Sequence, residues 1–358
     1  MTATTMDSKK SLPSDLKITT TEMHTGGEPL RIIESGYPKP EGVTILDKRA
    51  WLRAHADDYR KLLMFEPRGH YDMYGALLVT PDLPEADIGV IFMHNEGYST
   101  MCGHGVIALG RYLVDRGLVA AGNPEARVII QCPCGPVTAH VTHSNGVTSD
   151  VRFTNVPSYV FALDVKVEVP GVGEVAVDIS YGGAFYGFVP ASRLGVDLKT
   201  DSVSKVTDLA FAVTQALKAK VKLHHPDSPD LAFIYGTIVT DGGDHTINST
   251  DGTTTNICVF AEKEVDRSPC GSGVAARVAL QYHRGVLPLG QKRQFRSGVT
   301  GSEFTARALK TVEVKGAGME GKDVIAILPE VSGRAFYTGS NTFTVETEDP
   351  LVGGFLPR

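Results

Sequence analysis

Polar and apolar residues alternate along residues 18–33, and β-branched side chains predominate there. That period of two predicts a strand. It breaks at Gly26-Gly27, a pair that permits a sharp turn. Residues 44–64 carry Leu and Ala at helical spacing among Lys, Arg and Asp, which predicts an amphipathic helix closed by Pro67-Arg68-Gly69. Short apolar runs at 73–80 and 88–94 predict buried strands. The stretch from about Gly103 to Asp115 is apolar nearly all round, so it predicts a buried helix, with Gly117 ending it. Further strands are predicted over 127–141 and 149–154.

The second half replays this order. A strand pattern at 173–181 breaks at Gly182-Gly183, an amphipathic helix fits 204–220, and strands fit 231–240 and 255–261. A second buried helix fits about 272–284, followed by strand patterns near 304–309, 323–329 and 334–338. The repeat is sharpest where Met101-Cys102-Gly103-His104-Gly105-Val106 recurs as Pro269-Cys270-Gly271-Ser272-Gly273-Val274, with Arg116-Gly117-Leu118 recurring as Arg284-Gly285-Val286. An internal duplication follows. The expected fold is α+β: two pseudo-symmetric α/β domains, each a mixed or antiparallel sheet wrapped around a central buried helix. The expected division is 18–168, completed by 340–358, and 169–339, with a site in the cleft between them. Residues 1–17 are polar and read as a short disordered leader.

Composition narrows the partners. The net charge is −6 and there is no long basic run, which argues against nucleic acid. No apolar run reaches spanning length. The five cysteines, an odd number without a secretory signal, read as reduced thiols of a cytoplasmic protein. Cys132-Pro133-Cys134 reads as structural, one cysteine on each side of a strand. His94, Cys102 and His104 match no standard metal spacing, so no metal is expected. Gly271-Ser272-Gly273 lacks the Lys-Ser/Thr of a phosphate loop. The sequence does not fix the oligomeric state, and a homodimer is one option.

A cysteine just before a helix feels the positive end of the helix dipole, so a lowered thiol pKa is expected at Cys102 and Cys270. The next backbone N–H groups, of Gly103, His104 and Gly105 and of Gly271, Ser272 and Gly273, are unpaired within the helix and suit a carboxylate. Two such turns facing one cleft suit a small carboxylate-bearing substrate with a thiol on each face. One thiol removes the α-proton and the other delivers a proton to the opposite face, without a cofactor. Asp266 is placed to accept from a substrate ammonium, or to cap the helix. His104 is placed to do the same or to orient the Cys102 thiol. His24 and the two glycine pairs are candidates for the cleft edge. An amino-acid-binding or thiol-redox module is the non-catalytic alternative.

Four segments resemble the proline racemase family, whose wider fold group includes diaminopimelate epimerase. They are Met23-His24-Thr25-Gly26-Gly27-Glu28-Pro29-Leu30-Arg31, Met101–Gly105, Asp178–Phe185 and Asp266-Arg267-Ser268-Pro269-Cys270-Gly271-Ser272-Gly273. The resemblance implies proton transfer by Cys102 and Cys270, contact of His104 and Asp266 with a ring nitrogen, and a carboxylate held by both helix N-termini. No cofactor is implied. The expected activity is racemisation or 2-epimerisation of proline or hydroxyproline. Outside these motifs, Phe65–His70, His94–Tyr98 and Asn256–Phe260 resemble the eukaryotic trans-3-hydroxy-L-proline dehydratases, which implies dehydration to Δ1-pyrroline-2-carboxylate as the alternative. That branch typically carries threonine at the second catalytic position, where this chain has Cys270.

Overall fold

The computed structural model describes residues 12–246, 252–346 and 348–357. Residues 1–11 of the expected leader lie outside these. Within them, Leu16 is already buried and the first strand starts at Lys17. The first half runs β1 (Lys17–Thr25), β2 (Glu28–Ser35), α1 (Ile45–His55), α2 (Asp57–Met64), β3 (Tyr74–Val79), β4 (Ile88–His94), β5 (Gly97–Tyr98), α3 (Gly103–Asp115), β6 (Glu125–Cys132), β7 (Gly135–Ser144) and β8 (Val147–Thr154). After β9 (Tyr159–Val169) come β10 (Gly173–Tyr181), β11 (Phe185–Pro190), α4 (Val203–Lys220), β12 (Ile234–Thr240), β13 (Thr254–Phe260), β14 (Glu264–Asp266) and α5 (Gly271–His283). The chain closes with β15 (Arg293–Ser297), β16 (Glu303–Val314), β17 (Val324–Gly333) and β18 (Ala335–Thr344).

Strand pairing repeats step for step. In the first half β1 and β2 form a hairpin, β2 runs parallel to β3, β3–β4 and β4–β5 are antiparallel, β4 runs parallel to β6, and β6–β7–β8 are antiparallel. In the second half β10 to β17 make the same pairings in the same order. Two closing strands are exchanged. β9 leaves the first half to pair with β10, and β18 leaves the second half to pair with β1. β8 and β17 pair antiparallel and join the two halves. The fold is thus α+β, with each half a mixed sheet around one helix.

Both central helices are buried because their sequences are apolar on every side. In α3 the run Gly103–Gly110 and Tyr112–Val114 is buried, and in α5 every residue from Gly271 to Gln281 is buried. α3 packs on β1, β2, β6, β7, β8 and β18, and α5 on β9, β10, β11, β16 and β17. The polar Arg277 survives in α5 because it is fully paired. It sits 2.8 Å from Asp244 and donates to Thr254 Oγ1 and Asn256 Oδ1 at 2.6 and 3.0 Å.

Some details depart from the sequence reading. The helix expected over 44–64 is two helices, broken at Ala56, whose φ of −133° leaves the helical region. The first starts at a capping box between Thr44 and Asp47. Cys132 ends β6 and pairs with Gly135, so Pro133 and Cys134 form a hairpin turn rather than strand faces. β9 runs across the division expected at 168/169. Its alternation is interrupted at Asp164, which takes φ +50°, and its pairing with β10 shifts register beside Ile179. β11 shows no alternation because all six of its residues are buried.

Candidate active site

The N-termini of α3 and α5 meet head to head at the centre of the molecule. A Cβ built on Gly103 would lie 2.4 Å from the Gly271 Cα, and one on Gly271 would lie 2.5 Å from the Gly103 Cα. Only glycine at both positions lets the two turns approach this closely. Cys102 and Cys270 are the residues that precede the two helices, and both line one narrow cleft. Gly103, His104, Asp266, Gly271 and Ser272 also line it. So do Glu28, Tyr74, Met101, Tyr186, Tyr235 and Phe260.

The two thiols sit in equivalent frames but different surroundings. Cys102 caps α3 through its own side chain: Sγ accepts from the Gly105 N–H at 3.3 Å. His104 Nδ1 lies 3.3 Å from the same sulfur. His104 Nε2 is 3.2 Å from the Pro29 carbonyl oxygen, which can only accept, so Nε2 carries the ring proton. Nδ1 then presents a lone pair to the Cys102 S–H. Burial depresses the imidazole to about 3, so the ring is neutral. Burial also pushes the Cys102 thiol well above its ordinary range, against the Gly105 hydrogen bond that lowers it. The lowered pKa expected from helix position alone is therefore corrected: at 4% exposure, desolvation outweighs the helix terminus.

Cys270 is held by its backbone. It adopts φ +69°, ψ +97°, a conformation that strains a side-chain-bearing residue. Its N–H donates to Ser268 Oγ at 3.1 Å, and Ser268 donates its N–H and O–H to Asp266 Oδ1 at 2.8 and 2.7 Å. Asn256, itself fixed by Arg277, donates to the Pro269 carbonyl at 3.1 Å. The Cys270 thiol points to the Tyr186 hydroxyl at 3.7 Å, and that hydroxyl bonds Ser272 Oγ at 2.8 Å. Asp266 lies on β14, paired with Cys258 of β13. Burial raises its carboxyl to about 6, against the Ser268 bonds that lower it.

Three of the expected binding residues lie elsewhere. His24 is not in the cleft lining: its ring stacks on Phe336 at 5.4 Å, and its Nδ1 accepts from the Gly27 N–H at 3.2 Å. Strand alternation explains this, because β1 turns Met23 and Thr25 inward and His24 outward. Gly105 and Gly273 sit behind the thiols. The Gly105 N–H is taken by Cys102, and a Cβ on Gly273 would lie 2.3 Å from Ile238 and 2.9 Å from Cys270 Sγ. Of the residues expected to hold an anion, Gly103 and His104 line the cleft on one side and Gly271 and Ser272 on the other. Glu28 was missed as a site residue, although it stands inside the Gly26-Gly27-Glu28 motif. Its signal was an acid in an otherwise apolar turn, which the second half replaces with Ala184 after Gly182-Gly183. Tyr74, Tyr186, Tyr235 and Phe260 come from the ends of strands and carried no signal of their own. Among the described residues no group of three His, Cys, Asp or Glu side chains is placed to hold a metal, and no helix is long and apolar enough to cross a membrane.

Known proteins share this architecture. A sequence profile described as proline racemase matches residues 20–356. A Xenopus tropicalis protein named trans-L-3-hydroxyproline dehydratase is 57% identical over 336 residues, covering 94% of each chain. A human protein named trans-3-hydroxy-L-proline dehydratase is 54% identical over 348 residues, covering 96% of each. A solved hydroxyproline epimerase from Agrobacterium vitis, with bound trans-4-hydroxy-L-proline, superposes with a TM-score of 0.88 at 27% identity, covering 97% of this chain and 96% of that one.

Proposed function

The chain belongs to the proline racemase family, and from that premise we propose that it dehydrates trans-3-hydroxy-L-proline in the cleft between Cys102 and Cys270. The names of its relatives at 54–57% identity support this reading over epimerisation. The observation that carries it is the inequality of the two thiols. Cys102 Sγ faces an imidazole nitrogen, His104 Nδ1, at 3.3 Å, whereas Cys270 Sγ donates to the Tyr186 hydroxyl at 3.7 Å and lies beside the Asp266 carboxyl.

One basic thiol suffices for this substrate. In the trans-3-hydroxy-L isomer the hydroxyl and the Cα–H both lie opposite the carboxylate, so they share one ring face. The carboxylate docks on the N–H groups of Gly103, His104, Gly271 and Ser272, which are fixed before the substrate arrives. Cys102 acts as the thiolate, its sulfur accepting the Gly105 N–H, and takes the Cα proton. The electron pair of that bond becomes the C2–C3 double bond as the C3–O bond breaks. The departing oxygen takes the proton back from Cys102 and leaves as water. Proton movement from nitrogen to C3 of the resulting enamine gives Δ1-pyrroline-2-carboxylate. His104 acts on the thiol in this scheme rather than on the ring nitrogen. No cofactor is needed. The five free cysteines suit a reducing, cytoplasmic setting.

A second reading rests on Cys270 itself, a thiol at the matching helix start on the opposing turn. It equips the site for inversion of proline or 4-hydroxyproline. Separate incubation of trans-3-hydroxy-L-proline, L-proline and trans-4-hydroxy-L-proline in D2O tests both. Formation of a cyclic imine from the 3-hydroxy compound alone is expected. Deuterium at the α-carbon of L-proline or trans-4-hydroxy-L-proline, with no imine from the 3-hydroxy compound, would sink the dehydratase reading.

A further inference from the structure

The charges facing the cleft do not balance in the protein alone. Two carboxyl groups line it, Glu28 and Asp266, and no lysine or arginine does. Glu28 starts β2 and is completely buried. Its Oε2 accepts the Arg267 N–H at 2.7 Å, with the guanidinium 3.6 Å away, but its Oε1 has no hydrogen-bond partner. A buried, unpartnered carboxyl oxygen at the edge of a substrate cleft is costly unless something arrives to use it. The repeat does not require an acid there, since the residue after the matching glycine pair is Ala184.

An α-imino acid is a zwitterion with two ends to satisfy. Its carboxylate has the two helix N-termini. Its ring ammonium carries two N–H donors and needs two acceptors. His104 has none to offer, because one ring nitrogen is held by Pro29 and the other faces Cys102. Resting on the imino-acid reading above, we propose that Glu28 is a substrate-binding residue whose Oε1 accepts one N–H of the ring ammonium, with Asp266 accepting the other. The acid pair then reads a secondary ammonium, and its charge is neutralised only when that cation is bound. Burial, and after it the charge of Asp266, raise the Glu28 carboxyl well above the usual range, as expected of two acids waiting for a shared cation. Arg267 opposes that shift and Asp72 adds to it, and these with Asp266 are the charged groups acting on Glu28. The Cys102 and Cys258 thiols feel its charge in turn.

The test uses two ligands of one shape, L-proline and tetrahydrofuran-2-carboxylate, in which a ring oxygen replaces the ammonium. Binding of each is measured by calorimetry on the full chain and on Glu28→Gln. The substitution is expected to weaken L-proline at least about tenfold, the scale of a hydrogen bond to a charged group. It should leave tetrahydrofuran-2-carboxylate within about twofold, which also reports an intact carboxylate cradle. Unchanged L-proline affinity, or equal loss of both ligands, overturns the proposal. A second measurement needs no variant: the unsubstituted protein's preference for L-proline over its oxygen analogue should rise from pH 5 to 7.5 as Asp266, with a carboxyl near 6, ionises. A flat ratio overturns the proposal. Failure of the unsubstituted protein to bind either ligand overturns the imino-acid reading beneath it, and the proposal with it.

Discussion

Gly271→Ala probes the contact on which the whole site depends. The added Cβ would meet the Gly103 Cα at 2.5 Å, its carbonyl carbon at 2.9 Å and the His104 nitrogen at 3.2 Å. Ordinary carbon–carbon separation is about 3.5–4.0 Å, so one helix start must retreat by roughly an ångström. The obstructing atoms are all backbone, so no rotamer change relieves them. Overpacking of this kind costs about 1–3 kcal/mol of stability. The larger effect falls on turnover, because the retreating atoms are the proposed carboxylate donors, and a misplacement near 1 Å costs on the order of a hundredfold in rate. Gly103→Ala makes the same contact from the other side. The double variant should therefore lose much less than the sum of the two single losses, since one retreat accommodates both methyl groups. Gly339→Ala in β18 is the control: its Cβ would meet nothing within 4 Å. Steady-state rates on trans-3-hydroxy-L-proline and urea unfolding report the two effects separately. If Gly271→Ala kept kcat/KM within twofold of the parent, or if the two losses simply added, the head-to-head contact would not be what positions the donors.

Cys270→Thr is expected to retain imine formation from trans-3-hydroxy-L-proline within about tenfold, while Cys102→Ser loses it by two orders of magnitude or more, because Cys102 is the thiol that lies against an imidazole nitrogen; equal losses would make the two thiols partners in elimination. His104 should stay neutral from pH 5 to 8 with its proton on Nε2, a state read from 15N shifts, since burial holds it near 3; a titration near 6.5 would refute the assignment of Nδ1 as acceptor. Burial holds the Asp266 carboxyl near 6, above the ordinary value of about 3.8, so folding favours its protonated form. Its contribution is fully present below about pH 4 and is lost as pH rises through 6, about 3 kcal/mol at most. Asp266→Asn should therefore gain stability relative to the parent as pH rises from 4 to 6.5 in denaturant titrations, and a constant difference would contradict the shift.

The parts of this site that could be read from the sequence are those encoded locally. Cys102 and Cys270 stand out because each carries its glycine frame and its buried helix in one continuous stretch, and the duplication of that stretch implies that the two face each other. Glu28 does not stand out, because its importance comes from Asp266 and Arg267, more than two hundred residues away in the chain. The lowered thiol pKa expected at Cys102 is corrected for a related reason. The helix terminus that lowers a thiol pKa is visible in sequence, but the burial that raises it is a property of the closed cleft. His24 was drawn into the site by proximity to Gly26-Gly27, and the alternation of its own strand turns it away. β11 escaped notice because a strand covered on both faces has no polar side to mark its period.

The exchange of β9 and β18 has a consequence for how the molecule is made. Each half lends its last strand to the other, which is the connectivity of a strand-swapped dimer written as one continuous chain. The sheet around α3 cannot close until residues 335–344 have left the ribosome, so the first half must wait for them with its β1 edge open.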